Sequence, residues 1–275
     1  MPDLGTLPDL ERLRDRLRGL GAVVVAFSGG ADSAFLAHVA HDVLGAAGAH
    51  AVTAVSPSLA PEERADCEAL ATEWGLRWTP VVTDELADPA YSANDGERCY
   101  HCKATLMDAL GPIAAGEGAH VVLGVNLDNL GDHRPGQRAA AEGGAVFPLV
   151  DAGFTKADVR VWSRRLGLRM WDKPAAACLA SRVPYGSPVT LGVLESVARA
   201  ESLLRAMGFR QLRVRHYGDL ARLEFDGAEM ARAFALREEV LAAVRDAGYT
   251  YVTLDLEGFR SGNLNQALGR DDRRG

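Results

Sequence analysis

Four short strand-like segments, separated by stretches of helical periodicity, constrain this chain more than any other feature. Residues 22–27 (AVVVAF), 50–55 (HAVTAV), 76–82 and 120–125 (HVVLGV) read as strands. The first and last read as strands buried on both faces, because a strand with one wet face alternates apolar with polar residues. Residues 7–20 place Leu10, Leu13 and Leu17 on one helical face. Residues 34–44, 61–74, 102–110 and 156–166 read as further helices, and 147–149 as a short fifth strand. Such alternation means βαβ units and an α/β fold with a doubly wound parallel sheet. Ligands of these sheets bind at the carboxyl ends of the strands, so the loops after Phe27, Val55, Val82 and Val125 are expected to share one pocket.

The pattern changes after PYGSP at 184–188, which reads as a linker. The expected division is a domain of residues 1–187 and a smaller α+β domain of residues 188–275. The latter carries helices at 191–207 and 228–247, a strand pair at 211–217 and 220–225, and a strand at 251–256. The charged tail, 269–275, is expected to be disordered.

The 275 residues are 48% hydrophobic and 24% charged, which supports a sizeable core and excludes disorder, collagen and coiled coil as the overall class. With 30 basic and 37 acidic residues the net charge is −7. No nucleic-acid partner is expected from that balance, although it leaves room for a local basic pocket. No apolar run approaches the ~20 residues of a membrane span, and residues 1–20 have no secretory apolar core. Four cysteines in a chain of this length are no disulfide scaffold. The expectation is a cytoplasmic protein in a reducing compartment, with no membrane partner.

The strongest chemical signal is Ser28-Gly29-Gly30-Ala31-Asp32-Ser33, between a buried strand and a helix. Small residues let successive backbone N–H groups turn into one concavity, and the helix N-terminus adds positive partial charge: an anion site for phosphates. An ordinary Gly-rich turn is the alternative. No Walker A motif is present. A second polar string, GVNLDNLGDHRPG at 124–136, follows another buried strand, and Asn126 and Asp128 there suit nucleotide or Mg²⁺ contact rather than a plain turn. Cys178 lies in an irregular stretch between Pro174 and Pro184, where Lys173 and Arg182 could favour a thiolate; an inert buried cysteine is the competing reading. Cys99 and Cys102 form a C-x-x-C pair, a weak metal signal, with a zinc site completed by His101 or a redox disulfide as alternatives. Cys67, within the 61–74 helix, reads as core. Arg213 and Arg215 share one face of a strand and suit a phosphate or carboxylate, unless acids such as Glu224 neutralise them. Arg160, Arg164, Arg165 and Arg169 read as solvated surface, and the tryptophans as packing residues.

SGGADS resembles the PP-loop of the N-type ATP pyrophosphatases, which cleave ATP to AMP and pyrophosphate. Combined with GVNLDNLGDHRPG, KPAAACLASRVPYG and LDLEGFRSGNLN, it resembles the LarE family of ATP-dependent sulfur transferases over nearly the whole chain. The resemblance implies a Rossmann-like, adenine nucleotide alpha hydrolase-like fold. It also implies adenylation of a carboxylate of pyridinium-3,5-biscarboxylic acid mononucleotide and its conversion to a thiocarboxylate, towards the nickel-pincer cofactor of lactate racemase. ATP would lie against Ser28, Gly29, Gly30, Asp32, Ser33, Asn126 and Asp128, with Asp32 placing Mg²⁺ and Asp32, Ser33 and Cys178 in the chemistry. Ser181, Arg182, Glu201, Arg213 and Arg215 would meet the substrate. Sulfur comes in some members from the cysteine in the position of Cys178. In others it comes from a [4Fe–4S] cluster on three cysteines, here Cys99, Cys102 and Cys178, recharged by a sulfide or persulfide donor. A homo-oligomer is expected from the family. Other adenylating enzymes of the superfamily, tRNA thiolases and amidating synthetases, and a nucleotide-binding protein without catalysis are the competing readings.

Overall fold

The computed structural model describes residues 8–130, 135–173 and 178–260. Leu7, residues 131–134 of the second polar string, residues 174–177 before Cys178, the end of the LDLEGFRSGNLN string and the 269–275 tail lie outside the described residues. The amino-terminal elements are α1 (Leu10–Leu20), β1 (Val23–Ala26), α2 (Ala31–Gly48), β2 (Ala49–Val55), α3 (Pro61–Trp74) and β3 (Arg77–Val82). Then come α4 (Pro89–Ser92), α5 (Arg98–Glu117), β4 (His120–Val122), α6 (Pro135–Glu142), α7 (Pro148–Asp151) and α8 (Lys156–Arg165). The chain continues through α9 (Leu191–Ala206), β5 (Leu212–Tyr217), β6 (Leu220–Phe225), α10 (Met230–Ala235), α11 (Arg237–Asp246) and β7 (Tyr251–Leu254).

These elements form two compact units that interleave along the chain. One comprises residues 8–56, 63–84 and 99–173; the other comprises 57–62, 85–98 and 178–260. In the first unit a parallel sheet has the order β3-β2-β1-β4. β1 is central and covered on both sides, as its unbroken valines require. Val23 and Val25 pack with Leu13, Leu17, Phe35 and Phe154, whereas Val24 packs with Val52, Leu110 and Val121. Alternation of side chains across the strand separates the two sets. Each buried valine contributes on the order of 1.5–3 kcal/mol relative to exposure. Asp9 caps α1 by accepting from the Glu11 N–H, and a reciprocal Thr155–Asp158 capping box starts α8.

The fifth strand expected at 147–149 does not form. Pro148 begins a helical turn, and only Val146 reaches the sheet, as a single parallel bridge to Val122. Proline lacks the N–H that a ladder needs and suits the first turn of a helix.

The second unit has a sheet of order β5-β6-β7, with β5 and β6 an antiparallel pair and β7 parallel to β6. Leu204 of α9 and Val244 of α11 cover it, packing against Phe209, Val214 and Phe225. The helix expected over 228–247 is broken at Leu236, whose backbone leaves helical geometry between α10 and α11. No helix among the described residues is long and apolar enough to cross a membrane.

Candidate functional site

The first unit builds the phosphate loop at the carboxyl end of β1. Gly29 has φ +67°, the left-handed region that glycine enters without strain. A Cβ added there would lie 2.9 Å from Cys67 Sγ, so α3 closes the loop from behind. Cys67 is fully buried in the core, and burial pushes its thiol up to about 11. The loop is then fastened to the start of α2. The Ser28 N–H donates to Ser33 Oγ at 3.2 Å, the two hydroxyls lie 3.0 Å apart, and Ser33 Oγ donates to the Gly30 carbonyl. Gly30 caps α2 with no side chain, which leaves the first N–H groups of the helix facing the concavity.

The string after β4 reaches the same place. A Cβ on Gly124 would lie 2.8 Å from the Ser33 nitrogen, so only glycine lets this backbone cross the start of α2. Asn126 is fully buried, and its amide and the buried Asp32 Oδ1 lie near each other without a well-formed hydrogen bond. Burial pushes the Asp32 carboxyl above its usual pKa, against the pull of Lys156, the Asn126 amide and Arg160. Asp128 Oδ2 accepts from the Lys156 N–H at 2.7 Å, at the start of α8. Unsatisfied buried polar atoms are costly unless a ligand meets them. Mg²⁺ is commonly held by one or two carboxylates together with substrate phosphates, and the buried Asp32 oxygen fits that use.

Sequence reasoning passed over two cations here. Lys156 and Arg160 project their charge onto Asp32, and Arg160 is half-buried with an unpartnered Nε rather than solvated. Arg164 and Arg165 are exposed and stack on Trp171 and Trp162, and Arg169 meets Glu73 on the surface. Lys173 also corrects an expectation. Its ammonium is engaged by Glu63, Asp66 and the Gly29 carbonyl, so its charge serves the phosphate loop rather than a thiolate at Cys178. The signal for it lay in the early acids of the 61–74 helix, which needed a cation from elsewhere.

The second unit assembles the expected substrate residues. Cys178, partly exposed, precedes a short 3-10 turn over Leu179–Arg182. The Arg182 guanidinium donates to the Cys178 carbonyl at 3.0 Å and to Ser181 Oγ at 3.1 Å. It also forms a two-pronged pair with Glu201 at 2.8 and 2.9 Å. Glu201 is fully buried and accepts in addition from Arg205 and the Val214 N–H. Burial alone would raise its carboxyl; Arg182, then Arg205 and the Val214 N–H, outweigh that and hold it below its usual value. Arg215 donates to the Ser181 carbonyl at 2.8 Å and to Glu224 at 2.9 Å. Arg213, half-buried, stacks over the Phe259 ring, and burial followed by repulsion from Arg182 pushes it down to about 10. Cys178, Ser181, Arg182, Glu201 and Arg215 are thus linked in one chain of contacts, and Arg213 feels its charge.

Asn94 and Arg98 are further residues that sequence reasoning missed. Asn94, at φ +57° and fully buried, donates to the carbonyls of Pro184 and Ser187 and accepts from Arg98. Arg98 also donates to the Ala180 carbonyl, beside the Cys178 turn. An asparagine that tolerates left-handed backbone was the available sign.

Cys99 is exposed and Cys102 partly exposed in the first turn of α5. Three positions apart on a helix, they share one flank. Among the described residues no group of three or more His, Cys, Asp or Glu is arranged to hold a metal ion.

Residues 11–98 match the family model described as NAD synthase. The chain is 46% identical over 262 residues to an uncharacterized protein of Synechocystis sp., covering 94% of this chain and 97% of that one. It is 38% identical over 253 residues to the pyridinium-3,5-bisthiocarboxylic acid mononucleotide synthase of Lactiplantibacillus plantarum, covering 92% of each. An uncharacterized protein of Methanocaldococcus jannaschii is 25% identical over 240 residues, 87% of this chain and 91% of that one. The similarity spans both units.

Proposed function

The chain belongs to the LarE family of PP-loop ATP-dependent sulfur transferases and is an ATP-using enzyme, and from that premise we propose that it converts a carboxylate of pyridinium-3,5-biscarboxylic acid mononucleotide to a thiocarboxylate, towards a nickel-pincer cofactor. The observation that carries this reading is the set of buried polar atoms on Asp32 and Asn126 beside the phosphate loop, which lack well-formed hydrogen bonds. The Ser28–Gly30 backbone and the α2 N-terminus bind the β- and γ-phosphates. Asp32 would hold Mg²⁺, which when bound would supply charge neutralisation for the pyrophosphate leaving group. Asn126 orients the nucleotide. The substrate carboxylate attacks the α-phosphorus, and pyrophosphate leaves.

Ser181, Arg182, Arg213 and Arg215 bind the substrate's phosphate and second carboxylate, and Glu201 orients Arg182. The Cys178 sulfur attacks the acyl adenylate and AMP leaves, giving a thioester. Loss of the Cys178 Cα proton with cleavage of its Cβ–S bond releases the thiocarboxylate and leaves dehydroalanine. The relative named as a bisthiocarboxylic acid mononucleotide synthase supports the product class.

A second reading is favoured by the Cys99–Cys102 pair on one flank of α5: a cluster that passes on sulfide. One experiment tests both. The protein is incubated anaerobically with ATP, Mg²⁺, sulfide and the pyridinium mononucleotide, and pyrophosphate, thiocarboxylate and protein mass are followed. The direct-donor reading expects one turnover and a mass loss of ~34 Da, that of H₂S. Multiple turnovers with intact mass and a visible iron–sulfur spectrum support the cluster. Pyrophosphate without any thiocarboxylate returns the protein to the general adenylating class.

A further inference from the structure

The back of the phosphate loop is held by one half-buried cation. The Lys173 ammonium lies 3.3 Å from the Gly29 carbonyl oxygen, 2.8 Å from Glu63 Oε2 and 2.7 Å from Asp66 Oδ2, with its side chain only 17% exposed. Three donors meet three acceptors. Both carboxylates come from α3, the helix whose Cys67 packs under the same glycine. Burial works against the charge on Lys173, and Asp66 and Glu63 outweigh it and keep the amine protonated.

This arrangement has a directional consequence. In a trans peptide the carbonyl of one residue and the N–H of the next point to opposite sides of the bond. With the Gly29 oxygen held towards Lys173, the Gly30 N–H is turned away from α3. Glycine is open to both signs of φ, so a peptide between two glycines has little intrinsic preference for one orientation. An N–H donor to a phosphate is effective when its direction is set before the charge arrives.

We propose that Lys173 is a positioning residue for ATP: by gripping the Gly29 carbonyl it sets the Gly29–Gly30 peptide so that the loop presents its N–H groups to the pyrophosphate portion of the nucleotide. Lys173 does this without touching the nucleotide. The inference rests on the ATP reading above and deepens it, since it names the residue that sets the loop's orientation towards the polyphosphate.

Isothermal titration of the full chain with Mg·ATP, inorganic pyrophosphate and AMP tests it. Lys173→Met keeps the length and apolar stem of the side chain and removes the charge. It is expected to weaken ATP and pyrophosphate by about tenfold, the loss of one charge-assisted contact, and to leave AMP unchanged. Equal weakening of AMP and pyrophosphate would show a general folding role and overturn the proposal, as would unchanged pyrophosphate affinity. If methionine prevents folding, Lys173→Gln carries the same comparison. Wild-type protein that binds neither ATP nor pyrophosphate would instead remove the ATP reading, and this inference with it.

Discussion

Arg182 and Glu201 form a buried two-pronged ion pair that ties the turn carrying Cys178 to α9, with Nε–Oε1 at 2.8 Å and Nη2–Oε2 at 2.9 Å. Neither side chain is more than 3% exposed, so each charge depends on the other for solvation. Glu201→Gln is expected to cost about 3–5 kcal/mol, because it leaves a buried guanidinium uncompensated. Urea denaturation followed by circular dichroism reads this directly. Because the folded pKa of Glu201 is lowered, its stabilisation is fully present above the ordinary carboxylate value of ~4.3 and is lost as pH falls through the folded value. The gap between wild type and Glu201→Gln therefore closes at acid pH. A gap that stays constant below that range would contradict the ion-pair account.

Asp32 has the opposite sign. Its folded pKa is raised by burial, so at neutral pH the ionised carboxylate weakens the fold while it waits for a cation. Asp32→Asn should raise the melting temperature at pH 7, and the gain should vanish at low pH, where both states of the wild type are protonated. The same variant should lose pyrophosphate release. Retained release at matched protein concentration would remove Asp32 from the chemistry.

Gly29 meets two constraints, a positive φ and contact with Cys67 Sγ. Gly29→Ala is expected to cost about 1–3 kcal/mol of stability. Adding Cys67→Ala to it should recover the part due to overlap with sulfur and leave the backbone strain. Full additivity of the two substitutions in a denaturation cycle would mean that the contact is not felt. In the native protein Cys67 should resist alkylation at pH 8, with its thiol pushed up to about 11, while exposed Cys99 reacts.

Cys178→Ala should separate the two halves of the reaction. Pyrophosphate release continues, since the phosphate loop is untouched, and thiocarboxylate formation stops. Full sulfur transfer by this variant, measured by mass spectrometry of the product, would exclude Cys178 as donor or ligand.

Arg213→Ala should weaken the pyridinium mononucleotide by about 1.5–3 kcal/mol, ten- to a hundredfold, and leave ATP affinity unchanged. Arg213 is the clearer probe of the arginine pair, because Arg215 also braces the Ser181 carbonyl against Glu224. Arg215→Ala is therefore expected to lower stability as well as affinity. Loss of ATP binding in Arg213→Ala would reverse the assignment.

The amino-acid sequence by itself determined the local elements and the chemistry of the phosphate loop. Val23–Ala26 reads as a strand covered on both faces, and the small residues before α2 as a turn that frees N–H groups; both follow from period and steric size within a few residues. Proline chemistry at Pro148 was equally local, and its preference for a helix start was outweighed in the reading by the apolar run around it. Tertiary structure alone decided which distant groups share a site. Lys173 reaches Gly29 across 144 positions, Arg182 reaches Glu201 across 19, and Asn94 reaches Ser187 across 93. Burial then fixed their roles: it raised Asp32, left Glu201 lowered by its arginines, and turned Lys173 from a neighbour of Cys178 in sequence into the support of the phosphate loop. Desolvation and pairing depend on what packs around a group, and a one-dimensional pattern of residue types carries neither.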